Sequence, residues 1–239
     1  MTELNSYSFS PIGVIHSPYK QKFAIPRQPG LVSAAHGKLE LLLDENQQEL
    51  IRDIEQHSHL WLIFVFHGTS DQGWKPLVKA PRLGGNKKTG VFATRSTFRP
   101  NPVGMSVVKL NGICKINGNL ALDISGLDLL DGTPILDIKP YIPYSDNVTE
   151  ASSAMAQTPQ QTDLLITFNT KAEQQLIQVN ADYSDLKLFI EQVLSQDPRP
   201  AYKKANTELQ EYGMSLYDLN IRWQIQNNDC TVLSIEKLT

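Results

Sequence analysis

Along the first 145 residues, short apolar runs alternate with polar positions and are broken by turn residues, which predicts strands rather than long helices. Tyr7 to His16 favours strand but carries Pro11 and Gly13, so it reads as an irregular edge strand. Gly37 to Leu43 is a second candidate. Asn46 to Gln56 is short, polar and weakly periodic, as a small helix would be. His59 to His67 is apolar enough for a strand buried on both faces. Gly90 to Thr94 is another short strand. Val103 to Ile138 reads as strands turning at Asn111-Gly112, Asn117-Gly118 and Asp131-Gly132, pairs that accept the positive φ of tight hairpins. Many short strands without interleaved long helices point to a sandwich or barrel, not a doubly wound sheet.

The pattern changes near Asn147. Residues up to Thr162 are rich in Ser, Thr, Ala and Gln, with Pro159, as in a linker. A strand candidate follows at Leu164 to Phe168, then two helix candidates. The second, Ser184 to Gln196, has Ser184 as a possible N-cap and places Leu186, Phe189, Ile190, Val193 and Leu194 on one face. Leu216 to Leu238 alternates like a hairpin about Asn227-Asn228-Asp229. The expectation is a mainly β chain, α+β overall: a strand-rich part over 1–146, a linker over 147–162, and a small α+β part over 163–239. No internal repeat is visible.

Composition narrows the classes. With 239 residues, 41% hydrophobic and 20% charged, the chain has the make-up of a folded domain rather than of disorder, collagen or coiled coil. Cys114 and Cys230 are too few for a disulfide framework or a CxxC metal site, and they suit a reducing cytoplasm. The run from Leu60 to His67 is far shorter than the roughly twenty residues of a membrane span. No signal-peptide pattern opens the sequence. The net charge of −3 hides an asymmetry: residues 79–115 hold Lys79, Arg82, Lys87, Lys88, Arg95, Arg99, Lys109 and Lys115 with no acid among them. From Asn147 onward seven basic residues face twelve acidic ones. A basic face on a mildly acidic chain fits a nucleotide or RNA, or else a solvated surface whose acids lie elsewhere.

Several motifs fail. Gly85 to Gly90 has P-loop spacing but is followed by Val91 and Phe92 instead of Lys-Ser/Thr. No GxGxxG or Gly-x-Ser-x-Gly is present. His57, His59 and His67 lack a fourth ligand at a suitable spacing for zinc. Two proline-stiffened loops remain. Arg95 to Gly104 packs Arg95, Phe98, Arg99 and Asn101 around Pro100 and Pro102, which hold Arg99 and Asn101 extended. Asp137 to Asp146 presents Lys139, Tyr141, Tyr144 and Asp146 around Pro140 and Pro143. Rigid basic loops of this kind suit planar or anionic ligands, because little entropy is lost on binding. Each can equally be a stiff structural corner.

At these residues the sequence resembles the TsaA-like family. The resemblance rests on Ile12 to Tyr19, Pro26-Arg27-Gln28, His59-Leu60-Trp61, the Arg95 to Gly104 loop, Asp137 to Tyr141 with Asp146, and Asp197-Pro198-Arg199-Pro200-Ala201-Tyr202. It implies an N-terminal β-barrel and S-adenosyl-L-methionine as cofactor. The implied activity is methylation of N6 of threonylcarbamoyladenosine at position 37 of threonine tRNA, by a cytoplasmic homodimer with its pocket near the interface. The implied cofactor pocket is Pro26, Arg27, Gln28, His67, Gly68, Arg95, Met105, Ser125, Gly126, Leu127 and Asp128. Within it, Arg27 or Arg95 would pair with the cofactor carboxylate, Asp128 with ribose hydroxyls or ammonium, and Met105 with the adenine face. N6 of a ureido group is a poor nucleophile until its proton leaves, so a base is useful. Asp146 is the candidate base, with Tyr141 as alternative. Lys139, Arg99 and Asn101 would orient the threonylcarbamoyl group. Arg199, Tyr202, Lys203 and Lys204 form a basic-aromatic cluster suited to the phosphates of an anticodon stem-loop. No metal and no membrane enter this reading. The rival readings are a non-enzymatic RNA- or nucleotide-binding β-barrel and a structural dimer module.

Overall fold

The computed structural model describes residues 5–43, 46–79, 87–153, 162–179, 182–200, 203–204 and 206–238. Residues 154–161 of the expected linker, Arg82, Gly85 and Tyr202 lie outside these. The strands are β1 (Gly13–His16), β2 (His36–Leu41), β3 (His59–Val65), β4 (Leu77–Lys79), β5 (Lys88–Gly90), β6 (Val103–Ile116), β7 (Asn119–Ser125), β8 (Pro134–Pro140), β9 (Leu165–Phe168), β10 (Gln210–Leu216), β11 (Leu219–Gln226) and β12 (Asp229–Lys237). The helices are α1 (Gln47–Leu50), α2 (Pro143–Asp146), α3 (Thr170–Val179) and α4 (Leu186–Ser195). The chain is mainly β with few helices. Among the described residues, no helix is long and apolar enough to cross a membrane.

Six strands pair in the order β1-β2-β7-β6-β3-β8, and β8 returns to β1, so the antiparallel sheet closes into a ring. Alternation drives this. On β3, Leu60, Leu62 and Phe64 point into the ring and are buried, while Trp61, Ile63 and Val65 are only partly covered. The expectation of burial on both faces is thus corrected: among the described residues the outer face of β3 is only partly covered, at its Trp61 end by Tyr141 and Asp146. On β6, Gly104, Ser106, Val108 and Leu110 point inward, with Val103 and Met105 outward.

Turn chemistry held at Asn117-Gly118, which joins β6 to β7 with φ of 51° and 91°. The same dipeptide at Asn111-Gly112 is no turn. It lies within the continuous β6, where the register to β7 shifts between Leu110 and Gly112. This bulge lets one long strand serve both β3 and β7. The other departures are local. Only Gly13–His16 of the first candidate is strand. Val91–Ala93 winds into a 3-10 turn after β5. Residues 46–56 break into α1 and a 3-10 turn at Asp53, whose φ is 65°.

The second sheet runs β10-β11-β12-β9, with β9 parallel to β12. The hairpin about Asn227 joins β11 to β12, and β10 is an added strand turning at Tyr217. Helix α4 begins at Leu186 after Asp185 in the left-handed region, so Ser184 is not its cap. The expected apolar face of α4 is buried throughout. Tyr19, fully buried, packs on Phe189 with ring centroids 5.7 Å apart. Nearby, the Tyr217 amide donates to the Pro18 carbonyl at 2.7 Å, and the Ala34 amide to Gln192 Oε1 at 2.9 Å. One apolar core therefore runs from the ring into the second sheet. Arg199 is 8% exposed and forks onto Asp197 at 2.8 and 3.1 Å, with Lys204 Nζ 3.2 Å from the same carboxylate. Arg199 is a buried structural partner, not the phosphate contact expected from its sequence neighbours.

Candidate functional site

One cleft, of about 320 Å³, opens where the ring's β3 and β6 meet three loops, and lies within the roughly 300–1,000 Å³ of small-molecule sites. The loop after the 3-10 turn at Lys22–Ala24 supplies Pro26, Arg27 and Gln28. The end of β3 and the turn beyond it supply Phe64, Phe66, His67 and Gly68. Arg95 and Thr97 enter from the proline-stiffened loop, Met105 from β6, and Asp128, Leu129 and Thr133 from the β7–β8 connection.

Among the described residues Asp128 is the only acid in this lining, set among Lys22, Arg27 and Arg95. Burial pushes its carboxyl up to about 6, against the Ser106 hydroxyl hydrogen-bonded to Oδ1 and the positive field of Arg95. Arg95 is itself held, donating from Nη1 to Gln28 Oε1. Lys22 donates to the Gly68 carbonyl and so ties the first loop to the turn after β3.

Ser125, Gly126 and Leu127 do not line the cleft. Leu127 is fully buried, and the Ser125 hydroxyl donates to Asn111 Oδ1 at 3.2 Å. Gly126 takes a φ of 73°, its amide donating to Ala35 and its carbonyl accepting from Gly30. That left-handed residue turns the chain so that Leu127 faces the core and Asp128 the cleft.

Sequence reasoning missed Phe64, Phe66 and Lys22. Phe64 and Phe66 meet edge to face at 5.1 Å above Gly104. A Cβ on Gly104 would come within 2.6 Å of the Phe64 ring and 2.7 Å of the Phe66 ring. Gly104→Ala is therefore expected to displace both rings, lower stability by about 1–3 kcal/mol, and weaken ligand binding in the cleft; thermal unfolding and titration calorimetry check it.

The five expected catalytic residues lie outside the cleft lining. Asp146 ends α2, and its Oδ2 accepts from Trp61 Nε1 at 3.0 Å and from the Ile142 amide at 2.8 Å. The Tyr141 ring packs on Trp61 and His59, at 5.9 and 6.3 Å between centroids. Lys139 pairs with Asp137 at 2.8 Å and stands cross-strand from Trp61. These residues form one cluster on the outer face of β3 and β8. Arg99 is apart from it, donating from Nη1 to the carbonyls of Thr94 at 2.7 Å and Val91 at 3.3 Å, so it braces its own loop. Asn101 is exposed just before β6.

A closed antiparallel ring with a cleft that sets a desolvated carboxylate among cations and aromatic rings suits a small ligand bearing both charges and lies outside the Rossmann class. The tRNA-methyltransferase O N-terminal domain family matches residues 14–147, and the TrmO C-terminal domain family matches residues 161–238. The chain belongs to the tRNA-methyltransferase O family. It is 47% identical to the tRNA (adenine(37)-N6)-methyltransferase of Escherichia coli, over 98% of this chain and 99% of that one. It is 46% identical to RcsF of Pseudomonas aeruginosa, whose name invokes S-adenosylmethionine-dependent methyl transfer, over 94% and 95% of the two chains. The crystal structure of TrmO from Pseudomonas aeruginosa superposes with a TM-score of 0.80 at 40% identity, covering 98% of this chain and 99% of that one.

Proposed function

We propose that this chain is an S-adenosylmethionine-dependent methyltransferase acting on N6 of threonylcarbamoyladenosine at position 37 of threonine tRNA, with the cleft beside β3 and β6 as its cofactor site. The observation that carries the reading is Asp128, a desolvated carboxylate among basic side chains, in a chain collinear with the Escherichia coli enzyme.

The donor set fits the cofactor. Arg95, steadied by Gln28, and Arg27 pair with its carboxylate. Asp128 accepts from its ammonium or ribose hydroxyls. Phe64, Phe66 and Met105 supply apolar walls, with His67 and Gly68 at the edge. When bound, S-adenosylmethionine supplies an electrophilic methyl on a positive sulfur that leaves as a neutral thioether. The protein's part is then to orient, exclude water and remove one proton. Asp146 is the proposed base, with Tyr141, packed on the same Trp61, as the alternative. Lys139 and Asn101 face the threonylcarbamoyl group, and Arg99 holds the loop that presents Asn101.

The closed ring is read as a β-barrel catalytic part spanning 1–146, followed by a linker to 162 and a small α+β part over 163–239. A second copy, in the cytoplasm, covers the outer face of β3 and β6. Val103 and Met105, 39% and 52% exposed, stand there beside Ile63, Val65 and Val107 as an apolar strip at the cleft mouth. Along β3, Trp61 and Val65 are four residues apart, or about 13 Å. A two-fold axis across that face lays the Trp61 end of one strand over the Val65 end of the other, which brings the Asp146 cluster of one subunit to the cleft of its partner.

Incubation with labelled S-adenosylmethionine and two versions of threonine tRNA tests the activity. Label is expected in tRNA carrying threonylcarbamoyl at adenosine 37 and not in the unmodified transcript. Label in both would overturn recognition of the ureido group. Binding of RNA and cofactor with no transfer would favour the non-enzymatic binding protein.

A further inference from the structure

Beside the cleft stands a small lobe whose side chains the cofactor site does not use. It comprises residues 74–79 and 87–99, held together by β4 pairing with β5, the Lys75 amide on the Phe98 carbonyl at 3.2 Å, and the Val91 amide on the Pro76 carbonyl at 3.0 Å. Its anchors are apolar: Val78 and Val91 are buried. Its large aromatics are not. Phe92 is 76% exposed and Trp74 is 57% exposed. Each cost of leaving such a ring in water invites an explanation, and here two rings also carry cations. The Arg99 guanidinium lies 5.6 Å from the Phe92 ring, and Lys75 Nζ lies 4.6 Å from the Phe98 ring. Between residues 70 and 102 the sole acid in the sequence is Asp71, against Lys75, Lys79, Lys87, Lys88, Arg95 and Arg99 among the described residues. The same lobe sends Arg95 and Thr97 into the cleft lining.

We infer that Trp74 and Phe92 form a stacking platform for the unpaired nucleotides next to the methylated adenosine, with Lys75, Lys87 and Lys88 on their phosphates. The inference rests on the RNA-modifying reading and extends it to how the loop of the substrate is held. Exposed rings on a stretch of chain that carries cations and no acid from residue 72 to 102 suit the two features that every single-stranded nucleic acid has, a flat base and a charged backbone. The continuity of the lobe with the cleft places such a loop where one of its bases enters the site. An anionic membrane surface shares the charge but offers no flat bases.

The test compares the wild-type protein, the Trp74→Ala/Phe92→Ala double variant and the Trp74→Phe/Phe92→Tyr double variant. Affinity is measured for an anticodon stem-loop RNA, for a blunt RNA duplex and for phosphatidylserine vesicles, alongside cofactor affinity and turnover at saturating tRNA. The alanine variant is expected to lose about tenfold or more in stem-loop affinity, with less than about a twofold change for the duplex. Its cofactor affinity and saturated turnover stay at wild-type values, and the aromatic variant recovers the stem-loop affinity. Stem-loop affinity unchanged in the alanine variant overturns the platform while leaving the methyltransferase intact. An equal loss on the duplex, or a loss confined to vesicles, also overturns it. A wild-type protein that binds the stem-loop through these rings yet transfers no methyl supports the platform and overturns the activity.

Discussion

Asp128→Asn is expected to weaken S-adenosylmethionine binding about 100-fold while raising the melting temperature of the ligand-free protein. Both effects come from one burial. The carboxylate is pushed up to about 6 by desolvation, so the fold disfavours its ionised form. In the unfolded chain the same group titrates near 3.9. Between those values the folded protein binds more protons than the unfolded one, so this group's contribution to stability falls as pH rises from about 4 to 6 and stays low above that. Asparagine still accepts from the Ser106 hydroxyl but carries no charge to desolvate. It therefore stabilises at neutral pH and gives little change near pH 4. Cofactor binding has the opposite demand. An ionised carboxylate within hydrogen-bonding reach of an ammonium or a ribose diol contributes about 1.5–3 kcal/mol, which the amide largely forfeits. Wild-type affinity should accordingly fall as pH drops through about 6, and the variant's should not. Calorimetric titration at several pH values, with thermal unfolding on the same samples, reads both. Equal affinity of variant and wild type, or parallel pH profiles, would remove Asp128 from the cofactor site.

Where local chemistry alone decides, the sequence is readable. Asn117-Gly118 makes its turn because a two-residue hairpin needs positive φ at both positions and these residues accept it, and α4 buries Leu186, Phe189, Ile190, Val193 and Leu194 because their spacing matches the helix period. Where neighbours decide, it is not. Asn111-Gly112 carries the same signal as Asn117-Gly118 but becomes a bulge, since β6 must keep pairing with β7 beyond it. The outer face of β3 has the apolar composition of a covered surface, and nothing in its period says whether a helix or a second chain does the covering. The cleft shows the same division. The resemblance singles out Arg27, Arg95 and Asp128, which line the cleft, yet which residue of Ser125 to Asp128 faces that cleft is set by the φ of Gly126 and the burial of Leu127. Phe64 falls on the inward phase of β3 and reads as core. Its role at the cleft appears only because β3 ends there and Gly104 lets the ring pack against β6.

Asp146→Asn is expected to lower kcat by about 10²–10⁴-fold, with the cofactor affinity unchanged, since a positioned base contributes in that range and the residue lies outside the cleft lining. The amide keeps one oxygen to accept from Trp61 Nε1 and the Ile142 amide, so α2 should hold its place. Among the described residues those two donors both meet Oδ2, and none meets Oδ1, the oxygen available for a proton. Full turnover in the variant would pass the role to Tyr141. Geometry adds a sharper demand. A base must come within about 3 Å of the proton it takes, whereas Asp146 belongs to the Trp61 end of β3 and the cleft to the Val65 end. If the second copy supplies the missing approach, each working site draws Asp128 from one chain and Asp146 from the other. Mixing equal amounts of Asp128→Asn and Asp146→Asn protein, after dissociation and reassembly, then yields mixed dimers with one site intact and one doubly altered. Random pairing restores about a quarter of wild-type activity from two defective preparations. If both residues act within one chain, every site in the mixture lacks one of them and no activity returns beyond the sum of the parts. Recovery near a quarter would place the base across the interface, and its absence in a mixture shown by mass to contain mixed dimers would return the search for the base to the cleft's own chain.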